Sequence, residues 1–303
     1  MTHLVTGGAG FIGSHLVDRL IKRGDEVVVI DNLRRGRWQN LASSGSPRLR
    51  LIEADIRDRD AVRDACAGVE TVFHLAAQSN VMGAAVDPSY SVETNVLGTV
   101  NVLDAALEAR VRRLVFSSSR EVYGDPAVLP VHEDAPFAPK NLYGASKVAG
   151  EAYCLAYRQR GLDVRILRFG NVYGPLDTDR VIPTFLDRAA RGQPLQLFGG
   201  RQVIDFVWVD LVVEALIRAA EAAELADAVN VASGRGTPIT ELADRIAALL
   251  PARVEVLPAR GEEVVSFTAD VSRMRQRLGI EPPDDPLAEL PRLVDHVIAG
   301  AGR

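Results

Sequence analysis

Cysteine is nearly absent from this sequence, and with it the usual means of building a metal centre or a cross-linked fold. The 303 residues hold two cysteines, Cys66 and Cys154, and five histidines, with no metal-ligand spacing among them. A disulfide framework is not expected. Both thiols read as small packed residues in a reducing compartment, and no metal is expected. Long apolar runs are also missing, since none approaches the roughly 20 residues that cross a bilayer. The first residues read as a strand of the fold rather than a signal peptide, so a soluble, cytoplasmic protein without membrane partners is expected. Charge of one sign is missing too. The net charge is −5, and the cluster Arg34, Arg35, Arg37 is too short to argue for nucleic acid. It is either a solvated loop or a contact for the adenosine end of a nucleotide. No internal repeat or low-complexity tract occurs. With 47% hydrophobic residues, the chain can build a large core of one or two domains.

Short apolar runs alternate with helical spacing along the first half. Strands are predicted at 3–6, 26–31, 48–56, 71–77, 113–119 and 163–170. Helices are predicted at 11–23, 61–67, 90–110 and 143–160. Continuous apolar strands separated by helices predict an α/β fold with a doubly wound parallel sheet, covered on both faces. After Gly174-Pro175 the pattern loosens, and proline becomes commoner. A helix near VIPTFLDRAARG, a strand at 228–233, a helix opening at Thr237-Pro238 and a last helix near 287–299 predict a smaller α/β C-terminal lobe. Residues 1–174 are expected to form the first domain, with segments around 203–234 returning to it. Residues 175–303 mainly form the second.

The sequence Gly8-Ala-Gly10-Phe-Ile-Gly13, preceded by Gly7, fits G-x-G-x-x-G between a strand and a helix. Its glycines allow a tight turn, close approach to a pyrophosphate and close helix–strand packing. The amides of Phe11, Ile12 and Gly13 open the helix, whose positive end suits phosphate. The next strand ends in Asp31, followed by Asn32. An acid there accepts hydrogen bonds from a ribose and repels a 2′-phosphate, which favours NAD over NADP. Asp55 and Ile56, after the third strand, are either adenine contacts or a plain turn.

Tyr143 and Lys147 lie four residues apart on a predicted helix and share one face. A tyrosine titrates near about 10. A nearby ammonium and a cationic nicotinamide are expected to lower that value, so that Tyr143 can take a hydroxyl proton while hydride leaves the same carbon. Ser119, ending a strand, is placed to hydrogen-bond the same oxygen.

These residues resemble the extended short-chain dehydrogenase/reductase family, and within it the NAD-dependent nucleotide-sugar epimerases and dehydratases, UDP-glucose 4-epimerase among them. The resemblance runs through TGGAGFIG, HLAAQ (74–78), NVLGT (95–99), FSSSREVYG, YGASK, RFGNVYGP (168–175) and DFVWVDL (205–211). It implies a Rossmann domain holding NAD and a C-terminal lobe holding a nucleotide diphosphate sugar. It implies a catalytic trio of Ser119, Tyr143 and Lys147, with Leu75, Ala76, Ala77 and Asn95 at the cofactor. It places Gln78, Asn171, Phe198 and Arg260 at the substrate, and a homodimer through helices 90–110 and 143–160.

Two departures bear on the reaction. The dehydratases of this family carry Asp-Glu after the serine, where this chain has Arg120-Glu121. Arginine cannot serve as the acid. Glu121 keeps decarboxylation open, and Arg120 either binds a substrate carboxylate or forms an ion pair with Glu121. Ile204 stands where many relatives have a diphosphate-binding arginine, so either Arg201 substitutes for it or the diphosphate is held differently. The expected activity is 4-epimerisation of a UDP-sugar (UDP-glucose/UDP-galactose or UDP-glucuronate/UDP-galacturonate). The alternatives are a UDP-glucuronate decarboxylase or dehydratase using Glu121. A chain that only sensed NAD would not need the intact trio.

Overall fold

In the computed structural model, which describes residues 1–259 and 265–301, strands and helices alternate from the N-terminus. β1 (Thr2–Thr6) leads into α1 (Phe11–Lys22), β2 (Glu26–Asp31), β3 (Leu49–Glu53), α2 (Arg59–Cys66) and β4 (Thr71–His74). Then come α3 (Val81–Val86), α4 (Pro88–Val92), α5 (Thr99–Glu108), β5 (Arg113–Ser119), α6 (Leu142–Gln159), β6 (Val164–Phe169) and β7 (Asn171–Tyr173). Beyond residue 175 lie α7 (Val181–Ala190), β8 (Leu195–Phe198), β9 (Val203–Trp208), α8 (Val209–Glu221), β10 (Val229–Val231) and β11 (Gly236–Pro238). The chain continues with α9 (Ile239–Leu249), β12 (Val254–Leu257), α10 (Ser272–Leu278) and α11 (Leu290–Ala301).

Seven parallel strands form the main sheet in the order β10-β6-β5-β4-β1-β2-β3. This is the expected α/β Rossmann arrangement. Alternate residues supply its two faces. Val5, Val27 and Val29 pack with Leu16 and Val17 of α1 and with Val212 and Leu216 of α8. Leu4, Val28 and Ile30 face Val62 of α2, Val102 and Leu103 of α5 and Cys154 of α6. Each such aliphatic side chain contributes about 1.5–3 kcal/mol on burial. That is why the strands read as unbroken apolar runs. Both thiols are free and buried. Strand order reverses between β1 and β4, and this opens a crevice at the carboxyl ends of the strands. Late in the chain, β10 returns to the edge of the main sheet, while β11, β9 and β7 form a second sheet and β12 pairs with β8.

Three of the differences from the sequence reading have a local cause. The predicted strand 71–77 stops at His74, because the next two amides donate to the Thr6 hydroxyl. The predicted helix 90–110 is interrupted by a π-turn over Glu93–Gly98. The wider turn suits Asn95, whose side chain accepts from the Gln78 amide at 2.7 Å and donates to Ser146 Oγ at 2.9 Å. Thr237 and Pro238 belong to β11, antiparallel to β9, and the helix starts after them. Among the described residues no helix is long and apolar enough to cross a membrane.

Candidate active site

A cleft of about 690 Å³ lies over the crevice between β1 and β4. Its floor is the glycine turn. Gly7 has φ +69°, and a Cβ there would sit 2.8 Å from the Ala76 backbone. A Cβ on Gly13 would overlap the Gly7 carbonyl. The turn therefore admits nothing larger than glycine at either place. Gly10 caps α1 without a side-chain partner, and Phe11, Ile12 and Gly13 line the cleft beside it. Their amides belong to the first turn, which has no intrahelical acceptors.

Asp31 ends β2 at the cleft wall. Its carboxylate accepts from the Ala9 amide at 3.0 Å and the Leu33 amide at 2.9 Å, and burial pushes its pKa up. Asn32, Ile56, Leu75, Ala76 and Ala77 line the same half. Asp55, expected as an adenine contact, does not. Its oxygens are taken by the Arg57 amide and guanidinium and by Asn32 Nδ2. Asn95 lies behind the wall, bonded to Gln78 rather than facing the cleft. The arginine cluster divides. The Arg34 guanidinium sits 3.8 Å above the Tyr90 ring, and Arg35 pairs with Asp179 at 2.7 Å.

At the other half, β5 and the start of α6 bring Ser119, Arg120, Glu121, Tyr143 and Lys147 to one wall. Asn141 starts α6 by accepting from the Gly144 amide at 2.8 Å. Lys147, one turn after Tyr143, is buried and donates to the Ser117 carbonyl at 2.8 Å. Burial lowers its pKa to about 8. Tyr143 is pushed up to about 12 by burial. Arg180 and a hydrogen bond from Ser119 act against that rise, and Glu121 adds to it. The lowering expected from Lys147 together with a cationic nicotinamide concerns the loaded site. Desolvation dominates in the protein alone, and the foremost cation acting on the hydroxyl is Arg180.

Arg120 and Glu121 form an ion pair at 2.8 Å, and Glu121 also accepts from Asn141 Nδ2 at 2.7 Å. Behind them, His74 bridges Thr6 and Thr99 at 2.8 and 2.9 Å. Burial holds it near about 3, so it is a neutral structural group.

Gln78 and Asn171 line the cleft. Phe198 in β8 and Arg201 just after it lie outside that lining, and Arg260 lies outside the described residues. Ile204 is spent on pairing with Thr237 of β11. Sequence reasoning missed Thr94, Asp177 and Arg180, which also line the cleft. Thr94 Oγ1, Asn171 Oδ1 and Asp177 Oδ2 are buried without a hydrogen-bond partner among the described residues. Buried polar atoms in native folds are nearly always paired, so these three leave the cleft with polar positions open to a bound polar group or to water. The glycine turn, the free helix end and Asp31 fit a dinucleotide.

Comparison with known proteins decides the family. The sequence model of the NAD dependent epimerase/dehydratase family matches residues 3–232. The chain belongs to that family. Its cofactor is accordingly NAD. The UDP-glucose 4-epimerase of Mycolicibacterium smegmatis is 39% identical over 293 residues, covering 93% of this chain and 94% of that one. UDP-glucuronic acid decarboxylase 1 of Arabidopsis thaliana is 35% identical over 304 residues, covering 96% and 68%. Among solved structures, the UDP-glucose 4-epimerase of Thermotoga maritima with UDP-glucose superposes with a TM-score of 0.94 at 32% identity, covering 99% of this chain and 100% of that one. Family members thus include both epimerases and decarboxylases.

Proposed function

We propose that this NAD-dependent epimerase/dehydratase is a UDP-sugar 4-epimerase acting through a transient 4-keto sugar. Tyr143 takes the C4 hydroxyl proton, aided by Ser119, and later returns it. Lys147, tied to the Ser117 carbonyl, places a positive charge under the site. The bound cofactor supplies reversible hydride acceptance, so no second redox substrate is needed. The observation that carries this reading is the Arg120–Glu121 contact at 2.8 Å. With Asn141 on its other oxygen, Glu121 is engaged from both sides. Tyr143 is then the group disposed for proton transfer.

A second reading, UDP-glucuronate decarboxylation with Glu121 acting at C5, is favoured by the cleft position of Glu121 and by the likeness to a decarboxylase. On either reading, we assign the dinucleotide to the half of the cleft bounded by Gly7, Asp31 and Ala76. The sugar goes to the half bounded by Gln78, Ser119 and Asn171, with the lobe after residue 175 enclosing it. A homodimer through residues 90–110 and 143–160 is supported by exposed Val92 and Leu97 on the first segment and Tyr153 and Leu155 on the second.

The test is a mass and proton NMR time course with UDP-glucose and, separately, UDP-glucuronate, without added reductant. A new sugar of unchanged mass supports epimerisation. Loss of carbon dioxide or water transfers the chemistry to Glu121.

A further inference from the structure

The two banks of the cleft are joined by one carboxylate. Asp179 lies in the loop between β7 and α7, flanked by Thr178 and Arg180, both of which line the cleft. Its Oδ2 receives Arg35 at 2.7 Å and Asn80 Nδ2 at 2.7 Å. Arg35 follows β2, and Asn80 follows β4 at the start of α3. Arg35 also donates to Ser79 Oγ at 2.7 Å. Residues from three loops therefore meet on Asp179, and Arg35, Ser79 and Asn80 all face the cleft.

The loop that carries Asp179 is built to hold it there. Leu176 adopts φ +71°, a left-handed conformation costly for a branched side chain. Asp177 turns inward, with its side chain only 2% exposed, and takes Arg180 at 2.7 Å. His15 of α1 contacts the Pro175 carbonyl at 3.0 Å, which fixes the loop's near end.

We infer that Arg35, Asn80 and Asp179 form a clasp that retains the dinucleotide, so that NAD leaves only when Asp179 releases its two partners. This rests on NAD dependence and is indifferent to which sugar reacts. An isolated surface ion pair contributes little. This one is shared with Asn80 and Ser79 and ties together three loops whose residues line the cleft, so its effect is on the rate of escape. The carboxylate does not itself suit a phosphate. Asp179 itself is not among the residues lining the cleft, and its Oδ2 is taken by Arg35 and Asn80, so a loss seen on changing it reports the clasp.

The test needs no sugar. Protein loaded with NAD is mixed with excess fluorescent etheno-NAD, and the exchange rate is followed. For Asp179→Asn the expected release is about tenfold faster, equivalent to about 1.4 kcal/mol. The melting temperature of the ligand-free protein should be unchanged. Raised salt should speed release from the unaltered protein and have little effect on Asp179→Asn. The exchanged pair Arg35→Asp with Asp179→Arg should release more slowly than Asp179→Arg alone. Release from Asp179→Asn at the unaltered rate, with the same salt response, overturns the clasp, whatever reaction the protein catalyses.

Discussion

The Lys147 ammonium donates to the Ser117 carbonyl at 2.8 Å, and its nitrogen lies 5.8 Å from the centre of the Tyr143 ring. The lysine is anchored to β5, with its charge near the face of the tyrosine ring. Tyr143 itself sits under the opposing influences of burial and Arg180, and burial wins.

This sets the first prediction, on pH. Burial disfavours the phenolate, so Tyr143 in the ligand-free protein titrates near about 12 and is neutral at neutral pH. A cationic ring bound beside it acts in the opposite direction and lowers the value. Ultraviolet difference titration of the unaltered protein against Tyr143→Phe should show one phenolate ionising at lower pH when NAD is loaded. Identical curves with and without NAD would contradict the proposed placement of the cofactor.

Tyr143→Phe removes the proposed proton acceptor and leaves the glycine turn intact. Turnover should fall by roughly a hundredfold to ten-thousandfold, while the NAD extracted per protein stays the same. Surviving turnover means that another group is the base.

Much of this site is legible in the residues, for physical reasons. The main sheet is covered on both faces, so its strands carry their signal in short unbroken apolar runs. Gly13 is fixed within its own turn, where a Cβ would meet the Gly7 carbonyl, and Gly7 by its left-handed backbone at φ +69°. The π-turn at Glu93–Gly98 is not legible, because the apolar spacing around it is that of an ordinary helix. The desolvation that pushes the Tyr143 pKa up in the protein alone is not legible either, because it is set by distant parts of the chain closing over it. The partners of Arg35 were missed for a related reason. They depend on a loop whose path turns on a left-handed Leu176.

Glu121→Gln separates the two reactions. Its carboxylate is held by Arg120 and Asn141, and an amide of the same shape can keep one of those contacts. For an epimerase, kcat should change by less than about threefold, or about 0.6 kcal/mol. For C5 chemistry it should nearly vanish.

Asp205 offers a prediction about stability. Its two oxygens accept from the Ser233 amide at 2.8 Å, Ser233 Oγ at 2.6 Å, the Gly234 amide at 3.1 Å and the Ala269 amide at 3.0 Å. The side chain is fully buried and ties β9 to the turn after β10 and to residue 269. In Asp205→Asn, one oxygen becomes a donor facing backbone N–H groups. Urea unfolding should show a loss of about 2 kcal/mol or more. An unchanged midpoint would mean that the neighbouring hydroxyl and amides find other acceptors.

The central claim is that hydride leaves C4 and returns to the same carbon within one turnover. UDP-glucose carrying deuterium at C4 tests it most directly, incubated with the NAD-loaded protein in ordinary water and followed by NMR and mass. The account predicts UDP-galactose that keeps its deuterium at C4 with inverted configuration or, where the uronate is the substrate, UDP-galacturonate from C4-labelled UDP-glucuronate with the deuterium likewise kept. Deuterium lost to water, or a product lighter by carbon dioxide or water, would contradict it.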